Sequence, residues 1–400
     1  MIKKRLKNGL TVIFEKRASK SVVIEICTKT GSNYELDNER GASHFLEHLL
    51  FEGTKTRTAD QIANEIESVG GDFNAATTHE RTVFWARVPA KHFHRALDVL
   101  ADMFLNPLFD PNLINKERKV VLDEINLVTD EPRFHQFILF LQNLYKKHPT
   151  RLPIYGSKES ITNMKKDDIV NYFNKWYVPN NMIVTVVGGV KDPTSKIRGY
   201  FGKLKQKNTP KITIQRESSQ NKNSFVVEHR DIMQSYVVLG YNAVERHHND
   251  SYVFDVIRAI LARGQSGKLF KEIRSKRGLG YEVGAVYEAA KGYAYFATYL
   301  NTNKANIELC KKLILEEIEK LKKLSDKDLE EAKTFLEGEF LLSNEDNARR
   351  SDNISSWESI KSADELEKYI GKVKKVSKAD VKRVVSGYMK NYAMAVIEQK

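Results

Sequence analysis

Hydrophobic positions along this chain alternate between a period near two and a period near 3.6, and the order of these switches recurs in its two halves. The first half reads as a strand from Val22 to Lys29, a helix around His44–His48 and a helix from Ala59 to Val69. A strand pair from Asp72 to Val88 and a helix from Lys91 to Phe104 follow. The second half reads as a strand from Ser235 to Tyr241, a helix from Tyr252 to Ala262 and a short helix from Lys268 to Ser275. Strands at Tyr281–Ala289 and Tyr293–Leu300 and a helix from Asn306 to Lys323 complete it. The closing segments match as well: Lys166–Phe173 leads into a strand at Met182–Val187, and Lys378–Val385 into one at Tyr392–Ile397. An offset of roughly 210 residues is too long for a solenoid repeat and fits a duplicated domain. The expected fold is α+β, with two tandem domains, each a largely antiparallel sheet with helices packed on it.

Local signals sharpen these boundaries. Thr58 with Gln61 forms a capping box, and Ile62, Ile66 and Val69 give a stripe that stops at Gly70-Gly71. Ser325 with Asp328 marks another helix start. The polar stretch from Lys205 to Asn223 reads as a linker, which places one domain at 1–204 and the other at 224–400.

Composition narrows the classes. Four hundred residues with 41% hydrophobic content supply ample core for two domains, and no apolar run approaches membrane-spanning length. The basic N-terminus, Met1 to Asn8, is followed by no apolar signal region. Cys27 and Cys310 both sit in apolar periodic segments and read as buried thiols, which fits a reducing cytoplasm. The net charge of +13 comes from scattered lysines, and the densest clusters, Lys203–Lys207 and Lys372–Lys375, accompany no nucleic-acid module. Solvated surface accounts for this charge, so neither nucleic acid nor membrane is expected as a partner.

The chemistry concentrates in His44-Phe45-Leu46-Glu47-His48. Histidines four apart lie on one helix face, roughly 6 Å apart along the axis, so both imidazoles reach one metal ion. Glu47 projects near that face and offers a carboxylate able to accept a proton from a metal-activated water. This order, His-x-x-Glu-His, is that of the inverzincins. The plain alternative is a partly exposed helix with two solvated histidines. A catalytic zinc site needs a third protein ligand. The segment Asn112–Val128 reads as a helix with an apolar stripe of Leu113, Ile114, Val120, Val121, Ile125 and Val128, and it carries Glu117 and Glu124 on one face, two turns apart. Its acids, with Asp123, Asp130 and Glu131 close by, read equally well as a solvated face.

The pentapeptide, followed 76 residues after His48 by Glu124 within Glu117–Ile125, resembles the pitrilysin family of zinc peptidases, most nearly its short processing-peptidase branch. The segments Leu6–Val12, Gly31–Glu35 and Tyr177–Met182 resemble further parts of that family, so the likeness spans the chain. The resemblance implies His44, His48 and Glu124 as ligands of one Zn²⁺ per chain, Glu47 as general base and Glu117 as a carboxylate supporting the site from outside the ligand set. It also implies that Gly70–Thr77 is the edge strand to which a peptide adds, with Asn74 and Ala75 contacting it. Arg274 and Tyr281 match an Arg/Tyr pair that anchors substrate and stabilises the oxyanion; by spacing alone Lys276 and Arg277 serve equally well. His92, His94, His247 and His248 read as surface residues, and His79 lies near the edge strand. The family encloses peptides or unfolded protein segments between two tandem halves, so a chain with one such half is expected to form a homodimer, or a heterodimer with a related chain. The alternative function is a proteolytically inert structural or assembly subunit of the same fold.

Overall fold

The computed structural model of the chain describes residues 1–215, 217 and 220–400. The expected linker, 205–223, includes residues 216, 218 and 219, which lie outside this set. Its described residues carry neither helix nor strand. The chain forms two compact units. One comprises Met1–Asn126, Pro153–Thr213 and Ser343–Leu366; the other comprises Leu127–Leu152, Ile214–Leu342 and Glu367–Lys400. Each unit therefore takes in a segment that boundaries at 204 and 224 assign to the other half.

Among the described residues, the first unit holds a six-stranded sheet. Its strands are β1 (Ile2–Arg5), β2 (Thr11–Lys16), β3 (Ser21–Thr28), β4 (Asp72–Thr77), β5 (Thr82–Pro89) and β6 (Met182–Gly188), in the order β1-β2-β6-β3-β5-β4. Only β2 and β6 pair in parallel there; the other pairings are antiparallel. The second unit holds β7 (Ser224–Arg230), β8 (Ser235–Asn242), β9 (Val283–Ala289), β10 (Ala294–Thr302) and β11 (Ala393–Gln399), in the order β7-β11-β8-β10-β9, with β7 and β11 parallel. Strand for strand the second order repeats the first from β2 onward, so the duplicated α+β architecture expected from the periodicity is present.

In the first sheet the pleat sends Val22, Ile24 and Ile26 into a core shared with helices α1 (Ala42–Phe51), α2 (Ala59–Glu67), α3 (Phe93–Leu105) and α4 (Pro111–Asp130). The capping box at Thr58 and Gln61 forms as expected and starts α2. The opposite face of β3 and β6 is covered by the helix Asn347–Ile360. It buries Ile354 and Trp357 together with polar contacts: Arg350 makes a forked ion pair with Glu15, at 3.1 and 2.7 Å, and Asp352 pairs with Arg81 at 2.6 Å. Ser355 donates to Glu25. In the second unit α5 (Pro132–Leu144) plays the matching part, packing Phe140 and Leu144 against Val238, Ala393 and Ala395. Gly240 makes room for it, since a Cβ there would lie 2.7 Å from the Phe140 ring. Cys27 and Cys310 are buried and free.

Glu25 carries a pH dependence. Burial, aided by the charge of Asp352, pushes its pKa up to about 7 against the opposing pull of Arg81 and Ser355. A carboxyl whose folded-state pKa exceeds its unfolded one binds its proton more tightly in the folded state. The stability it contributes is full below the ordinary value of 4.5 and is lost as pH rises through about 7. The shift corresponds to something on the order of 3 kcal/mol. Glu25→Gln should therefore flatten the fall in stability between those two pH values and leave the variant more stable than the natural protein at pH 8. Urea unfolding followed across that range checks this; an unchanged pH slope would count against it.

Candidate metal centre

Helix α1 begins at Gly41, whose φ of +91° places it in the left-handed region. A Cβ at this position would stand 2.7 Å from both the Ile161 side chain and the Tyr155 carbonyl, so glycine is required. Gly41 offers no side-chain cap. Glu35 supplies one from six residues upstream: its two carboxylate oxygens accept the backbone N–H groups of Gly41 and Ser43, each at 2.8 Å. Burial pushes the Glu35 pKa up to about 7, and these backbone donors hold it against a larger rise. Phe45, Leu46, Leu49 and Leu50 sink the opposite face of α1 into the core, which aims His44 and His48 at α4.

Helix α4 starts at Asp110, whose side chain accepts the Asn112 N–H at 2.8 Å. It buries Ile114, Glu117, Val121 and Ile125. The expected apolar stripe is narrower than predicted, because Val120 lies on the exposed face. Arg118 fastens α4 to its surroundings, donating to the carbonyls of Ile161 and Met164 and lying 5.5 Å from the Phe45 ring centre on α1.

The two helices converge on one point. His44 Nε2 lies 3.5 Å and His48 Nε2 3.4 Å from Glu124 Oε2, and the three donor atoms all fall within 4.8 Å of one another. Ligand bonds of about 2.0–2.1 Å in a tetrahedron give donor–donor edges of about 3.3 Å, so the two His–Glu124 separations of this triad match edges of a zinc site. Among the described residues it is the single such group of His, Cys, Asp or Glu. Glu117 Oε2 sits 3.3 Å from His48 Nδ1, a contact that fixes the ring with its Nε2 toward Glu124. His44 Nδ1 is buried with no comparable partner among the described residues.

Hydrogen bonds from His44 and His48 hold the Glu124 carboxyl far below the usual range. Burial and the neighbouring Glu52 raise that of Glu117. For His48, burial opposes the charged form, but Glu124 and Glu117 outweigh it and raise its pKa. These directions describe groups that already interact with one another across the point where the two helices meet.

Glu47 stands outside the triad, with Oε2 accepting a hydrogen bond of 2.5 Å from Thr77 Oγ1 at the end of β4. β4 is an edge strand. The Ala75 N–H is taken up by the Asn74 side-chain oxygen at 2.8 Å, so a peptide pairing at this N–H has to displace that oxygen. Phe73 packs on Phe51 of α1, with ring centres 5.4 Å apart.

In the second unit, Arg274 donates to the Tyr281 carbonyl at 2.7 Å and stacks on its ring at 4.2 Å, while Tyr281 is 68% exposed. Lys276 and Arg277, equivalent to Arg274 by spacing alone, are both tied to Glu272, at 2.8 and 2.5 Å. His94, His247 and His248 are exposed. His79 is buried against Ser32 Oγ at 2.8 Å. The sequence reading missed Glu35 and Thr77. Only a buried-looking acid ahead of a glycine-initiated helix could have signalled the first, and nothing local signalled the second.

Residues 11–158 match the model of insulinase, peptidase family M16, and residues 163–336 match that of the peptidase M16 inactive domain. An uncharacterized zinc protease of Rickettsia felis is 35% identical over 88% of this chain and 85% of its own length. The uncharacterized zinc protease YmxG of Bacillus subtilis is 30% identical over 86% and 85%. Among solved structures, a protease from Helicobacter pylori superposes with a TM-score of 0.94 at 25% identity, covering 99% of each chain. The helix that follows β8 as α1 follows β3, Ser251–Ala262, carries Asp255 paired with Arg246 at 2.6 Å in place of a metal motif, in keeping with the inactive-domain match. With the His-x-x-Glu-His helix in the half that matches the insulinase model, this chain belongs to the M16 family of peptidases.

Proposed function

We propose that this protein is a zinc-dependent endopeptidase that cleaves peptides or unstructured protein segments. The observation that carries this reading is the convergence of His44 Nε2, His48 Nε2 and Glu124 Oε2 beside the unligated carboxylate of Glu47 and an open strand edge. His44, His48 and Glu124 would hold a zinc ion, which would supply Lewis-acid polarisation for attack by water on the scissile carbonyl. Glu47 is the group that would take a proton from the attacking water and pass it to the leaving amine. Glu117 holds the His48 ring. The backbone of β4 around Asn74 and Ala75 binds the peptide by strand addition, which reads main chain rather than sequence and suits varied substrates. Purified protein should cleave unstructured peptides, lose that activity to a chelator and regain it with added zinc. A folded, zinc-loaded protein that cleaves none of a broad peptide library would instead favour an inert structural or assembly subunit.

The same reading includes a dimer in which Arg274 and Tyr281 of one copy complete the site of the other. Their mutual stacking and the exposure of Tyr281 support it, because the pair is preorganised and open to a partner. Mixing Glu47→Gln with Tyr281→Phe protein under subunit exchange should restore activity that each lacks alone. Verified mixed dimers without recovery would refute shared sites.

A further inference from the structure

We infer that Thr77 is a positioning residue for Glu47, so that the strand proposed to pair with substrate also fixes the general base. This rests on the endopeptidase reading above and assigns a role that the metal triad does not contain. The Thr77 hydroxyl is the donor to Glu47 Oε2 in the 2.5 Å contact. It commits Oε2 and leaves the other carboxylate oxygen as the proton acceptor.

Thr77 is itself held firmly. It pairs with Thr82 in the β4–β5 ladder, and Thr82 Oγ1 donates to the Thr30 carbonyl at 3.0 Å. In the turn that follows, Thr78 N–H donates to the Arg81 carbonyl at 2.8 Å, while Thr78 Oγ1 accepts the N–H groups of Arg81 and Glu80 at 3.0 and 3.3 Å. The segment before α1 braces this turn from outside. Asn33 N–H donates to the His79 carbonyl at 2.8 Å, Ser32 Oγ meets His79 Nδ1 at 2.8 Å, and a Cβ on Gly31 would lie 2.1 Å from the Thr78 carbonyl. The hydroxyl is therefore anchored by a ladder, a closed turn and the same upstream segment that caps α1 through Glu35. A base held by an independently rigid donor loses none of its orientation when substrate displaces solvent, which is the condition for efficient proton transfer.

A hydroxyl that merely ties strand to helix would show itself in stability and in KM; a positioning hydroxyl shows itself in kcat. Thr77→Val keeps the β-branched shape and removes the donor. It should lower kcat about ten- to hundredfold with KM and zinc content close to those of the natural protein, and Thr77→Ser should recover most of the loss. Thr77→Ala removes the hydroxyl without adding a methyl group and serves if the valine variant folds poorly. The double variant Glu47→Gln/Thr77→Val should be no slower than Glu47→Gln alone, because the hydroxyl then has no base to orient. Unchanged kcat in Thr77→Val and Thr77→Ala, or no rescue by serine, overturns the inference. Glu47→Gln measured in parallel separates the two levels: if it stays active the endopeptidase reading falls, and if it is inactive while Thr77→Val matches the natural protein only the role of Thr77 falls.

Discussion

Glu47→Gln protein should bind zinc and peptide as the natural protein does and turn peptide over at least about a hundredfold more slowly. Glu47 neighbours His48 in sequence, yet its carboxylate engages Thr77 and is not one of the three donors of His44, His48 and Glu124. Glutamine preserves the side-chain shape, and its amide oxygen still accepts the Thr77 hydroxyl. It cannot take a proton. The variant thus separates metal and substrate binding from chemistry. Elemental analysis, peptide-binding anisotropy and single-turnover kinetics measure the three separately. Turnover close to that of the natural protein would remove Glu47 from the role of base, and loss of zinc would make it a ligand instead.

His48→Ala should lose zinc altogether while the fold persists. The substitution deletes one of three donors and also leaves Glu117, only 7% exposed, without the imidazole that now satisfies it. Glu117→Gln should be milder. It keeps all three donors and weakens the hold on the His48 ring, which typically costs about 10- to 100-fold in metal affinity. Zinc content after dialysis against a graded series of chelator concentrations ranks the natural protein, Glu117→Gln and His48→Ala. Full retention of zinc by His48→Ala would sink the triad. The α1 core face of Phe45, Leu46, Leu49 and Leu50 is untouched by either change, so circular dichroism should report an unaltered fold.

The spacing of His44, Glu47 and His48 was legible because helical geometry alone puts residues three and four apart on one side, whatever the rest of the chain does. Glu117 and Glu124 were legible as a same-face pair for the same reason. Which of them meets the histidines was not, because that depends on how α4 lies across α1. Arg118, reaching the Ile161 and Met164 carbonyls, fixes that lie through partners more than forty residues away. Arg274 could not be told from Lys276 and Arg277 until Glu272 was seen to occupy the latter two.

Strand and helix order followed from periodicity wherever one face of an element is apolar, as in β3, α3 and β8. The helix Asn347–Ile360 gave no such signal, because the residues it buries include Asn347, Arg350, Ser351 and Ser355. Its place on the first sheet is decided by Glu15, Glu25 and Arg81, partners more than 250 residues distant. β7 escaped notice too, since as an edge strand it leaves Phe225 and Val227 exposed.

By itself, then, the sequence determined the elements with a continuous apolar face, their duplication and the two histidines with their carboxylate, all properties of residues close together along the chain and set by local geometry. Tertiary structure alone decided the exchange of α5 and Asn347–Ile360 between sequence halves, the meeting of Glu124 with the histidines, the Glu35 cap and the Thr77 hydroxyl on Glu47. Each of these joins groups far apart in sequence or on separate elements, and no local pattern records a contact that only packing brings about.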